Sequence, residues 1–248
     1  MLAGWLASGM DPAGFTVVDP VLAEAPTGVT LLRTLPDQCF DAVLLGVKPQ
    51  LLGEVAPAVV SLAGPDTIVL SILAGVELAS LAARFPAAKG LVRIMPNLAA
   101  AIGKSPIALA QRGLGEKDRA QITALMAPLG TPEWFDEALF DAVTALAGSG
   151  PAFVYRFIDA LAQGGAALGL PADQAQRLAL ATVEGAGALA SSSEHAPGEL
   201  ARRVASPGGT TEAGLKALDA DAALARLVAA TLKAAADRSA EMSAATRA

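Results

Sequence analysis

Short apolar runs rich in β-branched residues recur through the first half of the chain, and each ends at glycine, proline or a polar residue. Segments with the spacing of amphipathic helices, such as residues 50–63 and 77–85, separate these runs. This alternation predicts an α/β fold, a doubly wound parallel sheet with helices on both faces, because parallel neighbours need crossover connections. The predicted strands are Phe15–Asp19, Ala42–Val47, Thr67–Ile72, Leu91–Met95 and Ile107–Ala110.

The pattern changes near Asp136, after which apolar residues recur at helical spacing over long stretches. Alanine and glycine dominate these segments, which fits either an alanine-rich bundle core or a surface that packs against a second copy. The second interpretation is favoured, because about 100 helical residues bury more apolar area as a dimer. We therefore expect an α/β domain over residues 1–135 and an all-α dimerisation domain over 136–248, in a homodimer or an assembly of dimers. The predicted helices are Pro151–Leu168, Pro171–Leu189, Pro197–Ala205, Thr210–Leu218 and Ala220–Met242.

Composition argues against several functional classes. The 18 basic and 24 acidic residues give a net charge of −6, and the basic residues are scattered, which disfavours nucleic-acid binding. The single cysteine and single histidine, Cys39 and His195, disfavour a disulfide, a metal centre and a Ser-His-Asp triad. No uninterrupted apolar stretch reaches the roughly 18–20 residues of a membrane span, and residues 1–10 lack a signal-peptide pattern. We expect a cytoplasmic protein that acts on a small molecule and has no membrane partner.

Three predicted strands end in loops suited to a ligand: Val47-Lys48-Pro49, Ala74-Gly75-Val76 and Met95-Pro96-Asn97. Ligands of open parallel sheets bind beyond the carboxyl ends of the strands. Any one of these loops alone is explained as an ordinary turn at the end of a strand. Three such loops at one edge of the sheet favour a cofactor-binding cleft. The segment Asp141–Pro151 links the two patterns, and its small residues fit a tight interdomain connection or a place where cofactor and substrate meet.

The segment Ser206-Pro-Gly-Gly-Thr-Thr211 places two glycines and two hydroxyl residues before a predicted helix. Such a helix start presents several backbone N–H groups at the positive end of the helix dipole, which suits an anion. The segment lacks the lysine of a nucleotide-triphosphate loop, so a single carboxylate fits better. A plain helix cap with a glycine-rich turn explains the residues equally well.

The ordered set of these motifs resembles the pyrroline-5-carboxylate reductase family along essentially the whole chain. The matching segments are Gly46–Gln50, Arg93–Asn97, Asp141–Ala152, Glu194–Gly198 and Ser206–Thr211. The resemblance implies a Rossmann-like domain followed by a dimerisation domain. It also implies reduction of 1-pyrroline-5-carboxylate to L-proline, the last step of proline biosynthesis, with NADPH or NADH as hydride donor.

The resemblance also implies roles for individual residues. Val47, Lys48, Pro49, Ala74, Gly75, Pro96 and Asn97 would bind the cofactor. Gly208, Gly209, Thr210 and Thr211 would hold the substrate carboxylate, with Glu194 near the pocket. The Thr211 hydroxyl would lie near the imine nitrogen, with Ser206 and Thr144 close by. No histidine or metal is required, because the imine nitrogen is basic enough to be protonated near neutral pH.

Two departures from the family pattern bear on the cofactor. The sequence opens on what resembles the second half of the first family helix, without the preceding strand and GxGxxG turn on which the pyrophosphate rests. Either the translation start was placed too late, which is favoured, or this is a short relative; in both cases we expect weak or absent dinucleotide binding by this chain. In addition, Asn97-Leu-Ala99 stands where the family has Asn-Thr-Pro.

Asp19 ends the second family strand, where a carboxylate would bind a ribose 2′-hydroxyl and repel a 2′-phosphate. This favours NADH, although the choice between NADH and NADPH stays open. Two alternatives to the reductase also remain. One is a β-hydroxyacid-type dehydrogenase, disfavoured because Lys216 and Lys233 lack a glycine-rich catalytic context. The other is a catalytically silent, dimer-forming paralogue that has lost its cofactor loop.

Overall fold

The computed structural model describes residues 1–247, which form two compact units. The first comprises Met1–Ser149 together with the end of the chain from Ala234, and the second is Gly150–Lys233. In the described residues of the first unit, β1 and β2 pair in a small sheet, and a five-stranded sheet has the order β3-β4-β5-β6-β7. The strands are β1 (Thr16–Val18), β2 (Thr30–Leu32), β3 (Ala42–Leu45), β4 (Ile68–Ser71), β5 (Gly90–Met95), β6 (Ser105–Arg112) and β7 (Gly130–Trp134).

The sheet is not wholly parallel, which corrects the sequence prediction. Strand β6 runs antiparallel to β5, whereas the other pairings are parallel. The connection from β5 to β6 contains only one short 3₁₀ turn, Leu98–Ile102. A parallel neighbour would need a crossover of roughly a dozen residues or more. Consequently β3, β4 and β5 end at one edge, and β6 and β7 run the opposite way.

Two strands were not predicted from the sequence, and both lie at sheet edges. Strand β2 is three residues long, which gives little pattern to detect. Strand β7 contains Pro132 and lies at the edge of the sheet, where a proline is tolerated although it cannot donate to the ladder. A proline therefore hides an edge strand from a prediction that depends on uninterrupted β-branched runs.

Helices cover both faces of the five-stranded sheet, as predicted. Val69 and Leu91 pack into one core beneath α2 and α3, whereas Leu70, Val92 and Ile94 pack into the other beneath α1 and α4. This alternation follows from the two-residue period of a strand. The helices of this unit are α1 (Leu2–Ala7), α2 (Leu52–Val59), α3 (Leu78–Arg84), α4 (Glu116–Met126) and α5 (Phe140–Val143).

The helical unit buries few of its own side chains. Among its described residues only Ala175 and Ala179 are buried, and many large apolar side chains are exposed. Its helices are α6 (Gly150–Ala167), α7 (Ala172–Ser192), α8 (Pro197–Val204), α9 (Thr210–Leu218) and the first part of α10 (Ala223–Arg247). The exposed apolar residues on these helices include Val154, Tyr155, Phe157, Leu161, Leu178, Leu180, Leu189 and Leu227.

The compact unit of the sheet extends to Ser149, beyond residue 135, where the sequence pattern changes, and the domain boundary at 135/136 stays a prediction. Residues 136–149 are helical in spacing but pack on the sheet, and Phe140 is 2% exposed in its core. The end of α10 also belongs to the first unit, where the Ser239 hydroxyl donates to Asp141 Oδ1 at 2.7 Å. Periodicity identifies the apolar face of a helix but not the unit that buries it.

One helical run among the described residues, 137–167, is long and apolar enough to cross a membrane by length and composition. Arg156 and Asp159 interrupt its apolar residues; these two side chains pair with each other at 2.9 Å and are exposed. A single run of this kind is weak evidence for a span, since core helices of water-soluble proteins satisfy the same criterion. The absence of a membrane partner therefore stays a prediction.

Candidate active site

The predicted loops that follow β3, β4 and β5 lie at one edge of the sheet, because these strands are parallel neighbours. After β3, Val47 packs against the core and Lys48 is exposed. Pro49 opens a 3₁₀ turn, which the Leu51 N–H closes by donating to the Lys48 carbonyl at 2.9 Å. The core thus anchors the loop through Val47 and leaves Lys48 available at the edge.

After β4, Gly75 is required by two features of the structure. Its φ of +77° lies in the left-handed region, and a Cβ there would lie 3.1 Å from the Met242 carbonyl carbon. The sequence predicts that another group lies close to the backbone of this loop. The end of α10 is one such partner, and Ala74 beside it packs against the core.

After β5, the Asn97 side chain joins three segments of the first unit. Its backbone N–H donates to the Ser105 hydroxyl at 2.9 Å, and its Oδ1 accepts from the Ala99 N–H at 2.9 Å. Its Nδ2 donates to the Ala147 carbonyl at 3.0 Å. The side chain therefore caps the 3₁₀ turn after Pro96 and also reaches the segment that contains Thr144.

Thr144 begins a π-helical turn, Thr144–Gly148, directly after α5. The Ser149 N–H donates to the Thr144 carbonyl at 2.9 Å, which closes the wide turn. A Cβ on Gly148 would lie 3.3 Å from Met95 Sδ, so glycine lets the turn approach the end of β5. Single π turns are frequent at functional sites, and this one places Thr144 in the same unit as the strand-end loops.

At the end of β1, Asp19 is engaged with its own loop. Its Oδ1 accepts from the N–H groups of Val21 at 2.8 Å and Leu22 at 2.9 Å. These hydrogen bonds, with Val21 first, hold the pKa of the Asp19 carboxyl below its usual value. The Arg33 guanidinium donates to the Asp19 carbonyl at 3.0 Å and also to the Leu22 carbonyl. A cation therefore lies beside Asp19, which offsets the preference for NADH that the carboxylate alone suggests.

In the helical unit, Ser206–Gly209 forms a tight turn at the start of α9. The Gly209 N–H donates to the Ser206 carbonyl at 2.9 Å, and Gly208 has a φ of +71°. Proline at the second position and a left-handed glycine at the third are the signature of a type II turn. A Cβ on Gly209 would lie 2.5 Å from Ser206 Oγ, so this second glycine is required by close packing.

This turn decides which N–H groups remain for a ligand. The Gly209 N–H is used within the turn, and the Gly208 N–H donates to Glu212 Oε2 at 2.7 Å. In the described part of the chain we find no acceptor for the N–H groups of Thr210 and Thr211, the first two residues of α9. Of the four predicted carboxylate-binding residues, Thr210 and Thr211 therefore have free donors at the positive end of the helix.

Known proteins with similar sequences all point to one family. The chain is 43% identical to the pyrroline-5-carboxylate reductase of Aquifex aeolicus, over 72% of this chain and 67% of that protein. It is 41% identical to the Pseudomonas aeruginosa enzyme of the same name, over 82% and 74%. The chain belongs to the pyrroline-5-carboxylate reductase family. The family's dimerisation region matches residues 137–242, which begins close to the predicted domain boundary at 135/136.

Solved structures agree with this family membership. A pyrroline-5-carboxylate reductase from Coxiella burnetii superposes with a TM-score of 0.90 at 28% identity, covering 98% of this chain and 93% of that one. A Plasmodium falciparum pyrroline carboxylate reductase with NADP bound has the same fold, with a TM-score of 0.82 at 23% identity and coverage of 97% and 92%. The Rossmann-like sheet and the helical dimerisation region are thus those of the reductase family.

An ion pair between Arg93 and Glu137 lies in this reductase fold, and the sequence patterns assign it no function. Arg93 Nη1 lies 2.7 Å from Glu137 Oε1, and its side chain is 6% exposed. The same oxygen accepts from the Leu78 N–H at 2.7 Å, at the start of α3, and the guanidinium lies 4.6 Å from the centre of the Phe140 ring. A lone arginine within an apolar strand was the available signal, since arginine is rarely buried unless it is paired.

The other predicted site residues of the reductase lie in the helical unit or are exposed. Glu194 is exposed between α7 and α8, and Ser206 is exposed at the start of its turn. The His195 N–H donates to the Ser193 hydroxyl at 3.0 Å. The predicted cofactor-binding residues and Thr144 thus lie in one unit, and Glu194 and Ser206–Thr211 lie in the other.

Proposed function

We propose that this chain reduces 1-pyrroline-5-carboxylate to L-proline, with NADPH or NADH as hydride donor. The observation that carries this proposal is the Ser206–Gly209 turn, which leaves the N–H groups of Thr210 and Thr211 free at the start of α9. Two convergent N–H donors at a helix start suit a carboxylate. In a chain that belongs to this reductase family, the carboxylate is that of the cyclic imine.

The residues at the sheet edge fit the nicotinamide half of a dinucleotide. The loops after β3, β4 and β5 lie together at the carboxyl edge, where dinucleotides bind in open α/β sheets. Val47, Lys48, Pro49, Ala74, Gly75, Pro96 and Asn97 would line it, and Asp19 would face the adenosine ribose. Within the described residues no glycine-rich strand-to-helix turn is present to hold the pyrophosphate, so we propose weak binding.

The reduced nicotinamide supplies a hydride to the imine carbon when it is bound. The chain's own residues hold the substrate, with the carboxylate on the Thr210 and Thr211 N–H groups. The Thr211 hydroxyl accepts a hydrogen bond from the protonated ring nitrogen, with Ser206 and Glu194 as further polar groups of the helical unit; Thr144 stays a predicted catalytic residue of the sheet unit. Alignment and a hydrogen bond suffice because the substrate nitrogen already carries the proton.

The oligomer and its compartment complete the proposal. The exposed apolar side chains of α6 and α7 cannot be covered within the helical unit, and the matching family region is one of dimerisation. We propose a homodimer, able to associate further, that acts in the cytoplasm.

The test is an assay of the chain with 1-pyrroline-5-carboxylate and either nicotinamide at millimolar concentration. We expect L-proline to form, and Thr211→Val to lower kcat by about tenfold or more, because a positioned hydroxyl contributes on that order or above. Thr182→Val is the matched control, since the Thr182 hydroxyl bonds only its own helix, to the Leu178 carbonyl at 2.8 Å. A folded chain that forms no L-proline with either cofactor would support the silent paralogue instead.

A further inference from the structure

The π turn at Thr144 has a backbone carbonyl that its own helix does not serve in the usual way. In an α-helix the carbonyl of residue i accepts from the N–H of residue i+4. For Ala147 that position is Pro151, which has no N–H to donate. The turn itself is π-helical, with the i+5 spacing of the hydrogen bond from the Ser149 N–H to the Thr144 carbonyl, and Asn97 Nδ2 donates to the Ala147 carbonyl from another segment at 3.0 Å.

Asn97 is well placed to hold this turn because hydrogen bonds fix both its side chain and its backbone. Its Oδ1 accepts from the Ala99 N–H, and its backbone N–H donates to the Ser105 hydroxyl, both at 2.9 Å. Ser105 is 1% exposed, and its hydroxyl is 2.8 Å from the Pro106 carbonyl. Because Asn97 is fixed at these points, it holds the Ala147 carbonyl in a defined position relative to β5 and β6.

The turn also packs directly against the strand end. A Cβ on Gly148 would lie 3.3 Å from Met95 Sδ and 3.7 Å from Thr144 Cγ2. The Asn97–Ala147 hydrogen bond and the Gly148–Met95 contact therefore join the same turn to the end of β5. Together they set the position of Thr144 relative to the loop at residues 96–97.

We infer that Asn97 is a positioning residue: it holds the Thr144 turn at the carboxyl end of β5 through the hydrogen bond from its Nδ2 to the Ala147 carbonyl. The inference rests on the proposed function, which assigns Thr144 and the residue 96–97 loop to the active site. It changes the role predicted for Asn97 from the sequence, because Oδ1 and one Nδ2 hydrogen are committed within the protein. A contact with the cofactor would use the backbone or the second Nδ2 hydrogen.

The test removes the hydrogen-bond donor that Asn97 supplies to the Ala147 carbonyl. Asn97→Asp keeps an acceptor for the Ala99 N–H but removes the donor to Ala147, whereas Asn97→Ala removes both. We expect each variant to lower kcat about tenfold, with a smaller change in KM for the imine, since misplacing an active-site group slows the chemical step. Amide hydrogen exchange across residues 144–149 should become faster in both.

Asp11→Ala is the matched control, because Asp11 Oδ1 caps another 3₁₀ turn by accepting from the Ala13 N–H at 2.9 Å. It should change neither the kinetics nor exchange at 144–149.

Unchanged exchange protection at 144–149 in Asn97→Ala would overturn the positioning role. If the unsubstituted chain forms no L-proline, the proposed function fails. Hydrogen exchange then decides the positioning role alone: the inference holds if protection at 144–149 is lost in Asn97→Ala and fails if it is kept.

Discussion

At the scale of single residues, Glu212 holds the geometry of the glycine-rich turn in the helical unit. Its carboxylate accepts from the Gly208 N–H at 2.7 Å and lies 3.1 Å from Lys216 Nζ. The Gly208 hydrogen bond, followed by that of Lys216, lowers the pKa of Glu212 below its reference value of 4.5. A carboxylate with a lowered pKa stabilises the folded turn above that reference value, and the stabilisation is lost as pH falls through the folded pKa.

This sign gives a prediction for the Gly208 amide. Its proton chemical shift should titrate with a midpoint below 4.5 as Glu212 is protonated, because a charged acceptor makes the stronger hydrogen bond. Glu212→Gln should abolish the titration, whereas Glu184→Gln on the exposed face of α7 should leave it unchanged. NMR spectra recorded across the acid range measure the shift, and a midpoint above the reference value would contradict the assignment.

At the scale of elements, the Arg93–Glu137 pair ties β5, α3 and the segment before α5 together. Glu137 serves two donors, the guanidinium and the Leu78 N–H, both at 2.7 Å. Arg93 is 5% exposed, and a buried charge that loses its partner is strongly destabilising. The pair therefore explains why residues 137–143 join the sheet unit although their sequence pattern is that of the helical region.

Loss of the partner of this buried charge should be costly. Glu137→Gln leaves the Arg93 guanidinium without a carboxylate, and we expect the free energy of unfolding to fall by about 3 kcal/mol. The control is Lys89→Met, which removes the 2.6 Å pair with Asp118; its ammonium-bearing side chain is 39% exposed. That change should cost about 1 kcal/mol or less. Urea denaturation measures both, and equal losses would refute the structural role given to Arg93.

At the scale of the whole chain, the parallel strands of the first unit fall into two sheets. Strands β1 and β2 pair only with each other among the described residues, and β3 is an end strand of the five-stranded sheet. Asp19 and Arg33, at the proposed adenosine end, therefore follow strands of a different sheet from the strands that precede Lys48, Gly75 and Asn97. Within the described part of the chain, strand pairing does not join the two halves of the proposed dinucleotide site.

We therefore expect NADP⁺ and NAD⁺ to bind this chain with a Kd well above about 1 μM, which is the low end of the KM values common among enzymes. Isothermal titration of the folded chain measures this value. Tight micromolar binding would show that the separated strands form a competent site without a glycine-rich turn. We expect the weak cofactor binding to appear as a high KM for the cofactor. Binding of the imine carboxylate by Thr210 and Thr211 should be retained.

The helical unit makes a separate prediction at this scale. Phe157 on α6 is 44% exposed among other apolar side chains, and burial in a dimer would remove that area from water. Phe157→Glu should shift the chain towards monomer in sedimentation velocity, because a buried unpaired charge is unfavourable. Val21→Glu is the control: Val21 is 87% exposed in the first unit, and its substitution should leave the dimer intact. A monomeric unsubstituted chain would contradict the proposal.

Local patterns predicted most elements and the family of this protein. The apolar runs at residues 42–47, 67–72 and 91–95 became β3, β4 and β5, and Pro151 and Gly169 bracketed α6 within a residue or two. Pro207 and Gly208 dictated their turn for the same reason: the restriction lies within the residues themselves. Such information is local, so it is readable without knowing the fold.

Only the tertiary structure decided the direction of β6, the unit that claims residues 136–149, and the partners of Asn97, Arg93 and Glu212. Each depends on groups brought together by folding; Asn97 and Ala147, for example, lie 50 residues apart in sequence yet share a hydrogen bond. A one-dimensional pattern shows that a residue is polar or apolar and how it repeats. Which donor meets which acceptor is fixed by packing, because the free energy of each pairing depends on the neighbours that exclude water from it.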